Sequence, residues 1–567
     1  MRIGIFIVLV SLCFFAACTK ENFLDQTTTT DLREETVFSD SARSMDFLAN
    51  IYVSVGFSFS PSRFNGAAGL DAASDEAEGP LSSTVNTYTQ FATGGVSAYS
   101  IATDAWSIPY TQIRAANQFL QHLPTIPFNE LLKKRTEGEA MFLRAWYYAI
   151  LLKHYGGIPL VGDTVYSVDD KINTVRNTYE ECVDYITAQC DAAAALLPLS
   201  YTGLDYGRAT KGACLALKAR VLLYAASPLF NGGALTEDPA LKDIVGYPTF
   251  DAGRWKIAAD AAKAVMDLGQ YNLHQGTVKP GYGFYEVFQL RVNQEYIFAR
   301  MNPNNKDLEF LWRPPSRGGS TTTGSFPYQN LVDAFEMRNG KAITDPSSGF
   351  DPSNPYANRD PRLDYTVTHN LSKIYVAYGD LSPVYTYDGE PNGDGFGVGT
   401  PTGYYVNKMC NDDVVANYFF NDSRRCLPLM RFAEVLLMYA EAMNEYAGPS
   451  AEVYNAVESI RQRAGLDPYE LPVGLSKEEM RISIQHERQV ELAFEAQRFW
   501  DVRRWKIADQ TETQMMKGMD VKKNADGSFT YTIVDVRKHS FRAPMYLWPI
   551  PQSETAKSPD LLQNPGY

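Results

Sequence analysis

The sequence predicts a mainly α-helical protein, a superhelical scaffold of paired helices that carries an irregular, loop-rich subdomain with short β-strands. Three observations predict it. Long stretches without Gly or Pro recur with apolar residues at helical spacing. Small residues sit where such helices would cross, at Ala140, Ala145 and Ala149, at Ala216, Ala219 and Ala225, and at Ala440 and Ala442, as in a helix-turn-helix solenoid of tetratricopeptide-like spacing. Between residues 270 and 430 the periodicity lapses into Gly, Pro, Asn and Tyr-rich sequence.

At 567 residues the chain exceeds what one core normally organises, so more than one subdomain is expected. A formal net charge of -14 argues against nucleic acid as a partner, because phosphate binding needs a basic footprint. Aromatic residues are abundant, with 35 Tyr, 30 Phe and 7 Trp. Much of the Tyr lies in loop-like sequence, where exposed rings suit flat, weakly polar ligands such as sugars.

Residues 1–17 read as an export signal: Arg2, then an apolar run from Ile3 to Phe15, then Ala16 and Ala17 before Cys18. The run is too short to span a membrane as a helix. The small-small-Cys ending resembles a bacterial lipobox, which makes Cys18 the expected lipidation site. Residues 18–39 then form a polar tether. Helices are expected at Asp40 to Val55, Asp104 to Leu123, Phe128 to Tyr155, Tyr179 to Leu197, Lys211 to Ala226 and Trp255 to Leu268, within a region spanning 40–269. Residues 56–100 interrupt that region as a long irregular loop.

The second region, 270–430, contains short β-like runs at Glu295 to Arg300, Leu308 to Trp312, Leu363 to Thr368 and Ile374 to Tyr378. The third, 431–567, returns to helix at Arg431 to Ala447, Ala451 to Ala464 and Lys477 to Lys506. The last of these contains the densest pattern in the chain, from His486 to Trp505. Leu492, Ala496 and Phe499 form an apolar stripe, and Glu491, Glu495, Arg498 and Asp501 are spaced for a ladder of ion pairs along one helix.

The run Glu487-Arg488, Glu491-Leu492, Phe494-Glu495, Arg498-Phe499, Asp501 and Arg504-Trp505 resembles the signature of SusD/RagB outer-membrane lipoproteins. So do Arg431 to Ala442, Ile460 to Leu466, Trp548 to Pro551 and Asn564 to Tyr567, with further matches at Glu139 to Ala145, Tyr155 to Pro159, Gly207 to Gly212 and Asn358 to Arg362. Ala496 departs from the usual Gly; since Ala favours helix, a continuous helix is expected. The resemblance implies a right-handed superhelix of tetratricopeptide-like pairs and a cell-surface, lipid-anchored protein without catalysis. It would bind an oligosaccharide or polysaccharide and pass it to a SusC-like TonB-dependent transporter. A peptide-capturing or purely structural lid of the RagB type is the alternative, and a glycan hydrolase a more distant one.

Candidate chemistry is sparse. Glu491 with Glu495, or Glu441 with Glu445, would project from one helix face and leave no room for a scissile bond between them, so ion pairing is the expectation. No histidine constellation or phosphate loop is present, and no cofactor is expected. The acidic stretch Asp71, Asp75, Glu76 and Glu78 offers oxygen ligands without EF-hand spacing; a solvated loop is expected, with a structural calcium as the alternative. Cys410 with Cys426 is the one cysteine pair worth testing for a disulfide.

Ligand-facing aromatics should lie in loops, which singles out four clusters: Tyr88, Phe91 and Tyr99; Tyr282, Phe284 and Tyr285; Trp312 with Arg313 and Tyr328; and Tyr385, Tyr387, Tyr404 and Tyr405. Trp106, Trp146, Trp255, Trp500 and Trp505 are expected in the core.

Overall fold

The structure is a computed structural model that describes residues 33–60, 63, 67–80, 86–167, 169–172, 174–233, 235–377, 380–412 and 425–567. Cys18, the export signal and most of the tether lie outside the described residues.

The scaffold is built from α1 (Ser41–Tyr52), α2 (Asp104–His122), α3 (Glu130–Tyr155), α4 (Tyr179–Leu196), α5 (Lys211–Ala226) and α6 (Gly253–Met266). Their starts follow local chemistry. Asp40, Asn129 and Thr210 accept hydrogen bonds from first-turn amides, and Thr178 forms a reciprocal capping box with Glu181. Each helix from α2 onward packs on the next. α6 then packs on α7 (Phe432–Ala447), although the loop-rich region separates them in sequence. That region is therefore inserted into a continuous solenoid, which α8 (Ala451–Ala464) and α9 (Lys477–Glu491) extend. All five tryptophans expected in the core are buried.

The insertion is fastened by β1 (Tyr296–Arg300), which pairs antiparallel with β4 (Leu427–Arg431), the strand leading into α7. β2 (Lys373–Ala377) pairs with β3 (Asp380–Pro383). Two expected strands are otherwise: Asp307–Trp312 is a helix with acids in its first turn, and Arg362–Thr366 is helical before a two-residue bridge at Val367–Thr368. A long hairpin of β5 (Met515–Lys523) and β6 (Phe529–Lys538) follows the last scaffold helix.

Two hydrophobic cores result among the described residues. One fills the solenoid; the other lies under the insertion and contains Phe284, Trp312, Leu331, Tyr404 and, from the hairpin, Met519 and Val521. The segment from the last turn of α9 onward serves both. Val490, Ala493 and Phe494 enter the insertion core, whereas Leu492, Phe499 and Trp500 enter the solenoid core.

That division corrects the expectation of one helix to Lys506. α9 ends at Glu491 and α10 (Arg498–Arg504) starts afresh, because Phe494 and Ala496 take positive φ angles of 58° and 55°. A straight helix presents a charged face and an apolar face; the break lets one short segment turn between two cores. Ala496 thus occupies a left-handed position that glycine fills at lower cost.

The stretch 56–100 is also tighter than expected of a loop. Short helical turns at Phe57–Phe59 and Leu70–Ala73 and the helix Thr87–Thr93 bury most of its described side chains. Helix Glu34–Phe38, within the stretch read as tether, buries Phe38 against Phe47 and Phe119. Cys410 and Cys426 are free and buried, with thiols turned to the Leu308 and Arg291 carbonyls, so the candidate disulfide is not formed.

Candidate ligand-binding face

The carboxylates of the signature segment are sealed inside the protein. Arg431 Nη1 donates to Glu491 Oε1 at 2.6 Å and to Glu295 Oε1 at 2.8 Å, and its Nε donates to Glu495 Oε2 at 2.6 Å. Arg463 joins Glu295 at 2.8 Å and also pairs with Glu491. From the insertion, Arg362 reaches Glu487 at 2.5 Å and Glu491 at 2.9 Å, and Lys408 Nζ reaches Glu495 Oε1 at 2.6 Å. Arg498 and Asp501 look elsewhere, to Asp75 at 2.7 Å and to Arg488 at 3.0 Å. The expected ladder along one helix is thus replaced by pairing across the fold, because the break after Glu491 turns each side chain towards a different element.

Burial alone would raise the Glu491 carboxyl; Arg463, Arg431, Arg362 and Lys408 together overcome it and hold the group at about 2. A carboxylate that acidic cannot serve as a general acid near neutral pH. Glu491 and Glu495 are also buried and fully ion-paired, and through Arg362 and Lys408 the pair clamps the insertion to the solenoid.

The acidic stretch is internal as well. Asp75 binds Arg498, Glu76 accepts the Phe494 amide at 3.0 Å, and Glu78 Oε2 accepts the Tyr328 hydroxyl at 2.8 Å and the Arg537 guanidinium at 2.5 Å. It is therefore not the solvated loop that its charge suggests.

Most of the sequence-selected aromatics are core residues. Phe91 packs edge-on to Phe499 with ring centres 5.1 Å apart, and Tyr88 is buried beside Gly79; from that cluster only Tyr99 is exposed. Phe284 is buried near Lys408 and Arg463, while Tyr282 and Tyr285 are half-buried, Tyr285 stacking on Tyr365 at 5.4 Å. Trp312 lies against Phe494, Arg313 donates to the Asn411 carbonyl at 3.0 Å, and Tyr328 is enclosed. Tyr404 and Tyr405 are likewise buried, with hydroxyls donated to Gln329 at 2.5 Å and to the Asp394 carbonyl at 2.9 Å. These corrections share a physical cause: Gly and Pro-rich sequence here flanks short regular elements, so that Tyr88, Phe91, Phe284 and Trp312 lie on short helices whose apolar faces pack into the cores.

Tyr385 and Tyr387 remain half-exposed, and the hairpin completes their surroundings. Tyr387 bridges to Val521, and the Asp388 amide donates to the Val521 carbonyl at 2.8 Å, which pins this loop along β5. Phe529 on β6 then lies 6.4 Å from Tyr385 and 5.9 Å from Tyr387. Tyr531 shares the face of Phe529, two residues on, and meets Tyr356 at 5.6 Å; Tyr356 stacks on His369 at 3.8 Å. Lys523 Nζ sits 5.3 Å from the Tyr387 ring, and Asn370 approaches the Tyr531 hydroxyl at 3.4 Å.

The product is a strip of half-exposed rings held by backbone pairing, with polar groups along it. Such a surface can stack on the apolar face of a sugar ring while side chains bind its hydroxyls. The hairpin is an addition to the expected elements, and the sequence carries its signal: Asp526-Gly527 separates two alternating runs, and Gly527 has a φ of 87°.

Comparison with known proteins gives a family. Residues 250–567 match the model described as SusD family, and residues 22–223 match one described as starch-binding associating with outer membrane. A SusD-like protein of Formosa agariphila is 25% identical over 483 residues, covering 82% of this chain and 80% of its own. Among solved structures, a SusD-like protein of Bacteroides fragilis NCTC 9343 is 27% identical with a TM-score of 0.76, covering 94% of this chain and 98% of its own. A SusD-like carbohydrate binding protein of the same organism shares the fold at 24% identity and a TM-score of 0.74, over 93% of this chain and 100% of its own.

Proposed function

The chain belongs to the SusD family, and from that premise we propose that it captures a glycan at the bacterial cell surface and hands it to a SusC-like TonB-dependent transporter without cleaving it. The observation that carries this reading is the strip formed by Tyr385, Tyr387, Phe529 and Tyr531, whose rings are half-exposed and whose backbone is pinned by the hairpin. Flat rings on a rigid frame bind saccharides at low ordering cost. The name of the second matched family model, which associates starch binding with the outer membrane, supports the same reading of ligand and location. Anchoring is through a lipid on Cys18, followed by the polar residues up to Thr30.

Native affinity electrophoresis through gels containing different polysaccharides tests the proposal. At least one polysaccharide should retard the protein, and the double variant Tyr385→Ala/Phe529→Ala should migrate freely in that gel. No new reducing ends should appear on incubation. Absence of retardation in every gel would remove the glycan reading. Cys18→Ala should release the protein from the membrane fraction, and a TonB-dependent barrel should co-purify with the anchored form.

A further inference from the structure

We infer a second saccharide-binding site, in a cleft of about 560 Å³ between α6, α7 and α9 of the solenoid. It shares no residue with the aromatic strip. Its size falls within the ordinary range for small-ligand sites. The inference rests on the reading of the protein as a glycan binder.

One wall is aromatic. Trp255 on α6 and Trp505 after α10 line the interior, and Phe250 stands at the edge with two-thirds of its surface (67%) exposed. The backbone next to Phe250 is fixed, since the Asn231 side chain accepts the Asp251 amide at 2.9 Å and donates to the Asp251 carbonyl at 2.9 Å. An exposed apolar ring beside a pinned backbone is a preformed stacking surface, with little ordering left to oppose binding.

The facing wall is polar and comes from one face of α9, where Lys477, Arg481 and Gln485 recur every four residues. Its charges are matched internally. Arg481 grips Glu445 through Nε at 2.5 Å and Nη2 at 2.7 Å, and also pairs with Glu478. Deeper in, Trp505 Nε1 donates to Glu441 at 2.8 Å, and Arg504 neutralises that carboxylate at 2.7 Å. An anionic ligand would meet three carboxylates here, and a cationic one would meet Arg481 and Lys477. A neutral ligand that offers one flat apolar face and several hydroxyls meets neither conflict. The half-buried Gln485 amide has no hydrogen-bond partner among the described residues and can both donate and accept. The chemistry fits a neutral pyranose unit, stacked on Phe250 and held by Gln485 and the Arg481–Glu445 pair.

Titration calorimetry with neutral hexaoses (malto-, cello-, laminari-, manno- and xylohexaose) decides the matter, using wild type, Phe250→Ala, Gln485→Leu and the strip variant Tyr385→Ala/Phe529→Ala. At least one hexaose should bind the strip variant. Phe250→Ala in that background should weaken this residual binding about tenfold, the scale of one lost aromatic contact. Gln485→Leu should weaken it as well, and thermal melting should show Phe250→Ala as stable as its parent. Hexaose binding abolished in the strip variant and unchanged by Phe250→Ala in the wild type would overturn the second site while leaving the glycan reading intact. Absence of binding to every form would overturn both.

Discussion

Arg431, the last residue of β4, meets Glu491, the last residue of α9, at 2.6 Å with both side chains sealed from solvent, 60 residues apart in the chain. The contact joins two helices of the solenoid, and Arg431 also holds Glu295 of the insertion at 2.8 Å. Removing one partner of a buried pair leaves an uncompensated charge, which costs about 3–5 kcal/mol. Arg431→Met leaves Glu495 to Lys408 and Glu491 to Arg463 and Arg362, one cation short, so its urea unfolding midpoint should fall by up to that order of stability. A midpoint within about 1 kcal/mol of wild type would show that the clamp carries little stability.

The same network sets the acid limit. An unfolded glutamate titrates near 4.3, whereas the surrounding cations hold Glu491 at about 2. A depressed carboxyl contributes stability that is fully present above the unfolded value and lost as pH falls through the folded one. Its share, about 3 kcal/mol, should disappear between about pH 4.3 and pH 2. Unfolding free energies measured across that interval check the slope, and Glu491→Gln should flatten it.

Glu76 gives the opposite slope. Burial, with Asp71 adding repulsion, pushes its carboxyl up to about 8. The folded protein thus keeps a proton that the unfolded chain has lost. Stability from this group is present below about pH 4.3 and declines as pH rises through about 8. Glu76→Gln retains an oxygen for the Phe494 amide and should melt less steeply between pH 6 and 9 than wild type. Identical profiles would place the alkaline loss elsewhere.

Ala496 at a φ of 55° carries backbone strain. Ala496→Gly should stabilise the protein by about 1 kcal/mol, the reverse of the effect expected inside a helix. Denaturant titration reads the sign, and a loss of stability would restore the continuous helix.

Trp312 contrasts the core with the aromatic strip. It is 3% exposed and lies against Phe494, so Trp312→Ala should cost about 3–5 kcal/mol through the cavity it leaves. Tyr385→Ala, at a half-exposed ring, should leave the melting temperature nearly unchanged while weakening glycan retention.

Helices were legible because their signals are local. The capping box at Thr178 and Glu181, the start at Thr210 and the long apolar spacing of α3 are read within a few residues of where they act. Family resemblance was legible for the same reason, as patterned runs such as Glu487 to Trp505. The hairpin signal at Asp526-Gly527 is equally local. The fate of the loop aromatics was not legible. Tyr404 and Tyr385 stand in similar Gly, Pro and Tyr-rich sequence, yet one is enclosed and the other is half-exposed.

The sequence by itself determined the solenoid, its interruption by an insertion, and the patterned run from Glu487 to Trp505. Tertiary structure decided that this segment breaks at Phe494 and Ala496, that Glu491 answers to Arg431, Arg463 and Arg362, and that Tyr385 gains Phe529 as a neighbour. Helix formation depends on residues within a turn or two, which a sequence displays directly. Burial and ion pairing depend on which distant segments share a core, and that is settled only when the chain closes on itself.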